Sequence, residues 1–243
     1  MSRIALITGA TSGIGKATAE SFAEAGIDLI LCGRRQEKLD EISAKLSSKV
    51  KTTTLSFDVR DKGAVAGMIG SLSDDWKEID ILVNNAGVYE WGSLESVTEE
   101  KFHRQFNINV LGLLLASQTA VSYFADNGGS IINIGSGVST SQPAGSVIYT
   151  ATKSAVDSIT RVLSKELGPK NIRVNSINPG IVDTEGSRAG GFIGSDMEKM
   201  FVSMTPLLRV GTPNDIALIA SFLASEESHW LTGEIVSASG GLR

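Results

Sequence analysis

The chain has 243 residues, 42% hydrophobic and 20% charged, with a formal net charge of −5. That composition suits a globular protein with one sizeable core and offers no basic surface to nucleic acid or to an acidic membrane. The single cysteine, Cys32, cannot close an internal disulfide and lies in the apolar run Leu29-Ile30-Leu31-Cys32, as a buried spectator in a reducing compartment would. No apolar stretch reaches the ~18 residues of a spanning helix, and Met1-Ser2-Arg3-Ile4 enters a strand pattern without signal-peptide anatomy. The expectation is a soluble, cytoplasmic protein with one domain over residues 1–243.

Ile4-Ala5-Leu6-Ile7 is a continuous apolar run, the pattern of a strand buried on both faces. It leads into Thr8-Gly9-Ala10-Thr11-Ser12-Gly13-Ile14-Gly15 and then a helical pattern with Ile14, Thr18, Phe22 and Ala25 on one face. Strand, glycine turn and helix in that order make an anion site. The glycines let backbone N–H groups approach a phosphate, and the helix N-terminus adds partial positive charge. The spacing, Gly-x-x-x-Gly-x-Gly, differs from the Gly-x-Gly-x-x-Gly fingerprint; the alternative is a tight strand–helix turn without a ligand. Gly26 is a C-cap candidate, and Ile27 to Cys32 reads as the second strand.

In dinucleotide-binding βαβ units an acidic residue about 20 positions beyond the glycines takes the ribose 2′-hydroxyl. Here the count from Gly13 lands on Gly33, followed by Arg34 and Arg35. Two guanidiniums suit a 2′-phosphate that an acid would repel, so the expected cofactor is NADP(H). A surface arginine pair is the alternative.

Lys51 to Phe57 reads as a third strand ending at Asp58-Val59, and Asp61 opens a helical stretch to about Trp76. Ile79 to Val83 is a fourth strand, stopping at Asn84-Asn85-Ala86-Gly87. Strands alternating with helices at this rhythm predict an α/β fold, one doubly wound parallel sheet with helices on both faces, whose ligands sit at the carboxyl ends of the strands. Ser96-x-x-Glu99 has the form of a capping box, opening a long helix to about Asp126 in which Asn107, Asn109 and Gly112 are locally unfavourable. Ser130 to Gly135 is a fifth strand with Ser136 at its carboxyl end.

Tyr149-Thr150-Ala151-Thr152-Lys153 opens a helix that runs to about Leu167 and stops at Gly168-Pro169. Tyr149 and Lys153 share a face one turn apart. An ammonium beside a phenol draws its pKa down from about 10 toward the working range, making a usable general acid and base. Ser136 can donate a hydrogen bond to a developing alkoxide. On an exposed amphipathic helix the same pair would be two surface residues. Asn171 to Ile177 is a sixth strand closing at Asn178-Pro179-Gly180. Residues 183–205, with Gly186, Gly190, Gly191 and Gly194 and few helix or strand signals before Met197, read as a mobile lid or as a disordered surface loop. Thr212-Pro213-Asn214-Asp215 caps a helix to about Ala224, and Glu234-Ile235-Val236 is the last strand. His103 and His229 sit in no metal-like spacing, so no metal site is expected.

Taken together, Thr8-Gly-x-x-x-Gly-x-Gly15, Asn84-Asn85-Ala86-Gly87, Ser136 and Tyr149-x-x-x-Lys153 resemble the motifs of the short-chain dehydrogenases/reductases, in the family's order and over the whole chain. The resemblance implies a Rossmann-type fold of about seven parallel strands, a nicotinamide cofactor and a homotetramer. It implies a cofactor site made by Gly9, Ala10, Thr11, Ser12, Gly13, Ile14 and Gly15, by Arg34 and Arg35, with Asp58 and Val59 against the adenine and Asn85 near the adenosine ribose. Gly87, Tyr149, Lys153, Pro179 and Gly180 complete it, with the Val182 backbone and the Thr184 hydroxyl at the nicotinamide carboxamide. Asn109 matches the family's fourth active-site residue, which kinks its helix and holds a water for proton relay; a buried amide that only satisfies backbone groups is the alternative.

By the same likeness, hydride passes between nicotinamide C4 and a carbonyl carbon. Tyr149 gives its proton to a carbonyl oxygen held by Ser136, while Lys153 lowers the tyrosine pKa and binds the nicotinamide ribose. The substrate pocket is expected from Val88, Tyr89, Glu90 and Trp91, from Gly137, Val138 and Gln142, and from the lid with Phe192, favouring a small carbonyl compound with a hydrophobic body. The second half looks most like 3-oxoacyl-[acyl-carrier-protein] reductases, although Asp126-Asn127-Gly128-Gly129 lacks the basic side chains that an acidic carrier would meet. The first half is closer to NADP-dependent 3-hydroxy acid dehydrogenases. The expected activity is NADPH-dependent interconversion of a ketone and a secondary alcohol, most simply a 3-oxoacyl (thio)ester. A 3-hydroxy acid or sugar dehydrogenase and a non-catalytic NADP(H)-binding sensor are the alternatives.

Overall fold

The strand segments read from the sequence become β1 (Ile4–Thr8), β2 (Asp28–Gly33), β3 (Thr52–Ser56), β4 (Ile81–Asn84), β5 (Gly129–Ile134), β6 (Ile172–Pro179) and β7 (Ile235–Ala238). In the computed structural model, which describes residues 2–242, they pair in parallel as one sheet of order β3-β2-β1-β4-β5-β6-β7. Alternate residues of each strand face opposite layers. Ala5, Ile7, Leu29, Leu31, Ile81 and Val83 pack with helices α1 (Gly13–Glu24) and α2 (Gln36–Leu46). Leu6, Ile30, Leu82 and Ile131 pack on the other side. There they meet helix α3 (Lys62–Gly67), α5 (Gly112–Val121), which follows α4 (Glu99–Phe106), and, past the short α6 (Val138–Ser141), the long α7 (Val147–Leu167). After β6 come α8 (Glu185–Ala189), α9 (Asp196–Met204) and α10 (Pro213–Ala224), the last returning to the first layer beside α1. Cys32 is buried in the second layer, where burial pushes its thiol up and leaves it inert.

Five local expectations are corrected. The buried face of α1 is Gly15, Thr18, Ala19, Phe22 and Ala23, whereas Ala25 is exposed because it already belongs to the C-cap. The helix from Asp61 stops at Gly67, since Gly63, Gly67 and Gly70 withdraw helix propensity; Asp61 still caps it through Gly63 N and Ala64 N. The cap of α4 is Thr98, whose hydroxyl accepts from Lys101 N at 3.2 Å, while Ser96 belongs to a preceding single turn. The long helix is also not continuous: residues 107–111 form a π turn between α4 and α5, with Asn109 inside it. In the stretch 183–205, α8 and α9 are helices, and Gly191 (φ 70°) and Gly194 (φ 89°) turn the chain between them.

Candidate active site

β1 is flanked by β2 on one side and β4 on the other, so the direction of the connections reverses there and a crevice opens at the carboxyl ends of the strands. A cavity of about 690 Å³ fills that crevice, bounded by Arg34 and Arg35, the glycine turn, and Ser136, Tyr149 and Lys153.

The glycine turn is held by close packing. Gly9 and Gly13 take left-handed backbone, with φ of 67° and 52°. A Cβ on Gly9 would stand 2.8 Å from Asn85 Nδ2, and one on Gly15 would overlap the same nitrogen and the Gly9 carbonyl. Asn85 Nδ2 donates to the carbonyls of Thr8 and Gly9, both at 3.0 Å. Both amide hydrogens are thereby used to clamp the turn, while Asn85 itself lines the cavity. Thr8 Oγ1 accepts from Asn85 N (3.0 Å) and Ala86 N (3.1 Å) and donates to Val83 O (3.2 Å). Thr8 thus joins the β1 and β4 turns, a role that a lone threonine ahead of the glycines does not advertise. Thr11, Ser12, Gly13 and Ile14 line the cavity. Ala10 and Gly15, expected to touch the cofactor, instead lie behind its wall; Ala10 is fully buried and donates its N–H to Cys32 O. Ser12 makes no side-chain cap to α1, so no side chain competes for the first-turn N–H groups.

Arg34 and Arg35 are exposed at one end of the cavity, and Arg35 Nη2 donates to Thr11 Oγ1 at 3.0 Å. Asp58 is gripped by Arg60 through two hydrogen bonds of 3.0 and 2.8 Å, which hold its carboxyl below the usual carboxylate range. Val59 rests on α5, where a Cβ on Gly112 would come within 2.7 Å of Val59 Cγ2; the glycine that weakens the helix makes room for the cavity wall. Gly87, Pro179, Gly180, Val182 and Thr184 also line the cavity. The Thr184 hydroxyl, expected at a carboxamide, closes a capping box with Ser187 at the start of α8, and Thr184 Cγ2 would lie 3.2 Å from a Cβ on Gly13. The start of α8 thus rests on the glycine turn.

At the other end, Ser136 is 9% exposed and its hydroxyl accepts from Val138 N at 3.3 Å. Tyr149 enters half-buried from the first turn of α7, its ring 6.0 Å from that of Tyr89 and 5.9 Å from Lys153 Nζ. Lys153 is 7% exposed, and its ammonium donates to Ile134 O at 2.8 Å, pinning α7 to β5. Burial brings Lys153 down to about 8, with Asp157 acting in the opposite direction. Burial also pushes Tyr149 up to about 12; its hydrogen bond to Ser136 pulls it back and Tyr89 adds to the rise. Desolvation of the phenolate is thus the largest influence on Tyr149, and the hydrogen bond to Ser136 is what opposes it.

Asn109 does not line the cavity. It is 3% exposed, its Oδ1 accepts from Val88 N at 2.8 Å, and its Nδ2 donates to Val88 O (2.8 Å) and Thr152 Oγ1 (3.0 Å). Its side chain ties the Val88 loop to the Tyr149 helix, and both amide hydrogens are used in doing so. Tyr89, Trp91, Val138, Phe192 and Phe201 give the reacting end an apolar wall, and the Phe192 and Phe201 rings stand 5.8 Å apart. Glu90 and Gln142, expected in that wall, are not part of it: Glu90 turns to Arg104 (2.7 Å), and Gln142 ends α6 in left-handed backbone. Among the described residues no cluster of three or more His, Cys, Asp or Glu converges as a metal site, and no helix is long and apolar enough to cross a membrane.

Known proteins share this frame. A sequence model of the family described as enoyl-(acyl carrier protein) reductase matches residues 9–243. An uncharacterised oxidoreductase of Methylorubrum extorquens is 41% identical, covering 99% of this chain and 98% of its own. A 3alpha-hydroxysteroid dehydrogenase of Mediterraneibacter gnavus is 37% identical (99% and 97% covered), and a 3-oxoacyl-[acyl-carrier-protein] reductase of Thermotoga maritima 34% (99% and 97%). Among solved structures, a putative short-chain alcohol dehydrogenase of Sinorhizobium meliloti superposes with a TM-score of 0.94 at 35% identity (100% and 97% covered). A blue fluorescent protein from a metagenomic library, in complex with NADPH, gives 0.91 at 30% (99% and 97%). The chain belongs to the short-chain dehydrogenase/reductase family and is an oxidoreductase of alcohols and ketones.

Proposed function

We propose that the chain is an NADPH-dependent reductase of neutral, apolar-bodied ketones, with 3-oxoacyl thioesters the first candidates. The observation that carries this reading is the single cavity with Ser136, Tyr149 and Lys153 at one end and Arg34 and Arg35 at the other. The residues present fit a nicotinamide dinucleotide phosphate: glycines whose Cβ atoms would collide, a first turn of α1 without a side-chain cap, and two guanidiniums where a 2′-phosphate would lie. Gly9, Thr11, Ser12, Gly13 and Ile14 would hold the pyrophosphate side, with Asp58 and Val59 at the adenine. Pro179, Gly180 and Val182 would flank the nicotinamide. When bound, NADPH supplies the hydride.

The protein's own part is proton transfer and orientation. Burial keeps the Tyr149 phenol protonated well above neutral pH, so it serves as general acid toward the carbonyl oxygen. Ser136 orients that oxygen with its hydroxyl, and the Lys153 ammonium stabilises negative charge developing there. Asn109 acts by fixing Val88 against α7. The reading includes a single catalytic domain over residues 1–243, a cytoplasmic location and a homotetramer; Phe102, Leu114 and Val162, exposed on α4, α5 and α7, support assembly. A hydroxysteroid is the second substrate class, favoured by the aromatic wall and by the dehydrogenase from Mediterraneibacter gnavus.

The test follows nicotinamide absorbance with NADPH and NADH in parallel, over a 3-oxoacyl thioester, a 3-oxo acid, a 3-ketosteroid and a simple sugar. Turnover is expected with NADPH on the thioester or the steroid. Tyr149→Phe is expected to lower kcat by about 10²-fold or more while leaving NADPH binding intact. A variant that keeps more than about a tenth of kcat is incompatible with a phenol acid, and tight NADPH binding without turnover on any carbonyl would make the chain a sensor.

A further inference from the structure

A buried ammonium needs a compensating charge. The hydrogen bond from Lys153 to Ile134 O gives it a dipole only. Among the described residues, the elements packed around Lys153 bring it no acid except on its own helix. β5 contributes the Ile134 carbonyl, the turn after β4 contributes Gly87, and that turn is followed by Val88, which is bonded to Asn109 of the π turn. On α7 the titratable neighbours are Tyr149 and, one turn further on, Asp157, whose carboxylate favours the charged lysine. Arg161, the next charged group on that helix, is exposed.

Asp157 is 9% exposed and makes a second connection. Its two oxygens accept from Asn178 Nδ2 at 3.0 and 3.3 Å. The same nitrogen donates to Ser139 Oγ at 3.0 Å, and Ser139 Oγ donates to the Ser136 carbonyl at 3.1 Å. Ser176 Oγ donates to Asn178 Oδ1 at 2.8 Å, which fixes the orientation of that amide. The amide crosses Gly135, where any Cβ would collide with Asn178 Oδ1. The residue before Ser136 is thus a glycine that lets the connection pass.

We propose that Asp157 is a positioning residue of this site, holding Lys153 as an ammonium and, through Asn178 and Ser139, fixing the turn that carries Ser136. One buried carboxylate then governs both partners of Tyr149. The catalytic meaning rests on the reductase reading above, but the charge on Lys153 can be observed without turnover.

The experiment titrates the ε-carbon NMR resonance of Lys153 in isotope-labelled protein, assigned with Lys153→Arg, in the parent and in Asp157→Asn. Asparagine keeps the shape and an acceptor for Asn178 and removes the charge; Asp157→Ser is the second neutral variant should asparagine mispack. The parent midpoint is expected at about 8, and that of the neutral variants measurably lower, the direction in which loss of the Asp157 carboxylate acts. Asp157→Glu is expected to restore part of the difference. The alkaline limb of NADPH-linked ketone reduction should move to lower pH together with the Lys153 midpoint. Superposable Lys153 titrations overturn the proposal, even where Asp157→Asn is slow. A shifted Lys153 with no turnover in either protein sustains it and overturns the reductase reading instead.

Discussion

Asn109→Ala removes three hydrogen bonds at once, and their geometry sets the size of the effect. The N–H and C=O of Val88 both lose a partner at 2.8 Å, and the Thr152 hydroxyl loses a donor at 3.0 Å. Thr152 keeps its own bond to Tyr149 O at 2.7 Å, so its share is small. Each orphaned backbone group costs ~1–3 kcal/mol, or ~2–6 for the two; Val88 lines the cavity and can recruit water, which places the pair in the lower part of that range. The expected loss is about 3 kcal/mol in urea unfolding at unchanged m. The Val88–Tyr89 wall would then move against Tyr149, and kcat should fall by about tenfold or more. Asn109→Asp is expected to be at least as damaging, because it keeps the acceptor for Val88 N but loses both donors and buries a charge. A stability within about 0.5 kcal/mol of the parent refutes the clamp. If kcat were nevertheless lost, the side chain would regain the relay role expected from the sequence.

Replacing Arg34 and Arg35 together by alanine should weaken NADPH binding by about 10–10²-fold, a modest charge-assisted total for two exposed guanidiniums. NADH affinity should stay the same in a fluorescence titration; equal losses for both cofactors would mean the arginines do not read the 2′-phosphate. Asp215 caps α10 and pairs with Arg209 at 2.7 Å, contacts that hold its carboxyl far below its ordinary value of 3.8. A depressed acid contributes stability that is complete above the unfolded pKa and is lost as pH falls through the folded one. Asp215→Ala should therefore lower stability at neutral pH by about 1 kcal/mol, discounted for exposure and equivalent to about 2–4 °C in Tm. That gap should close progressively below about pH 4. A gap of constant size in acid would assign the effect to the cap alone.

The sheet was legible because β1, β2 and β4, buried on both faces, read as unbroken apolar runs, while β3 shows only the β-propensity of its threonines; all seven strands lie within two residues of the ranges read from the sequence. The helices were less so. Ser96 and Thr98 are both hydroxyl residues near the same helix start, and only the bond to Lys101 N separates them. The sequence marks the strain at Asn107, Asn109 and Gly112 but not its relief. That relief lies in Val88 and Thr152, 21 and 43 residues from Asn109, and in Val59 across the cavity wall.

The candidate site divides in the same way. Four-residue spacing places Tyr149 and Lys153 on one face, but it carries no information about desolvation, and desolvation sets the sign of the tyrosine shift. The polar residues that hold the site are individually unremarked: Thr8, Asn85, Asp157 and Asn178 become partners only through the register of strands distant in sequence. β1 and β4 pair with Ile7 opposite Val83, which brings Thr8 to the Asn85 amide 77 residues away. β5 and β6 pair with Ile134 opposite Ile177, which sets Asn178 beside the Ser136 turn. A slip of one residue in either pairing would send these side chains to the opposite face. The site and the register are therefore one specification, since the strand pairing that builds the core also fixes which polar groups meet at its edge.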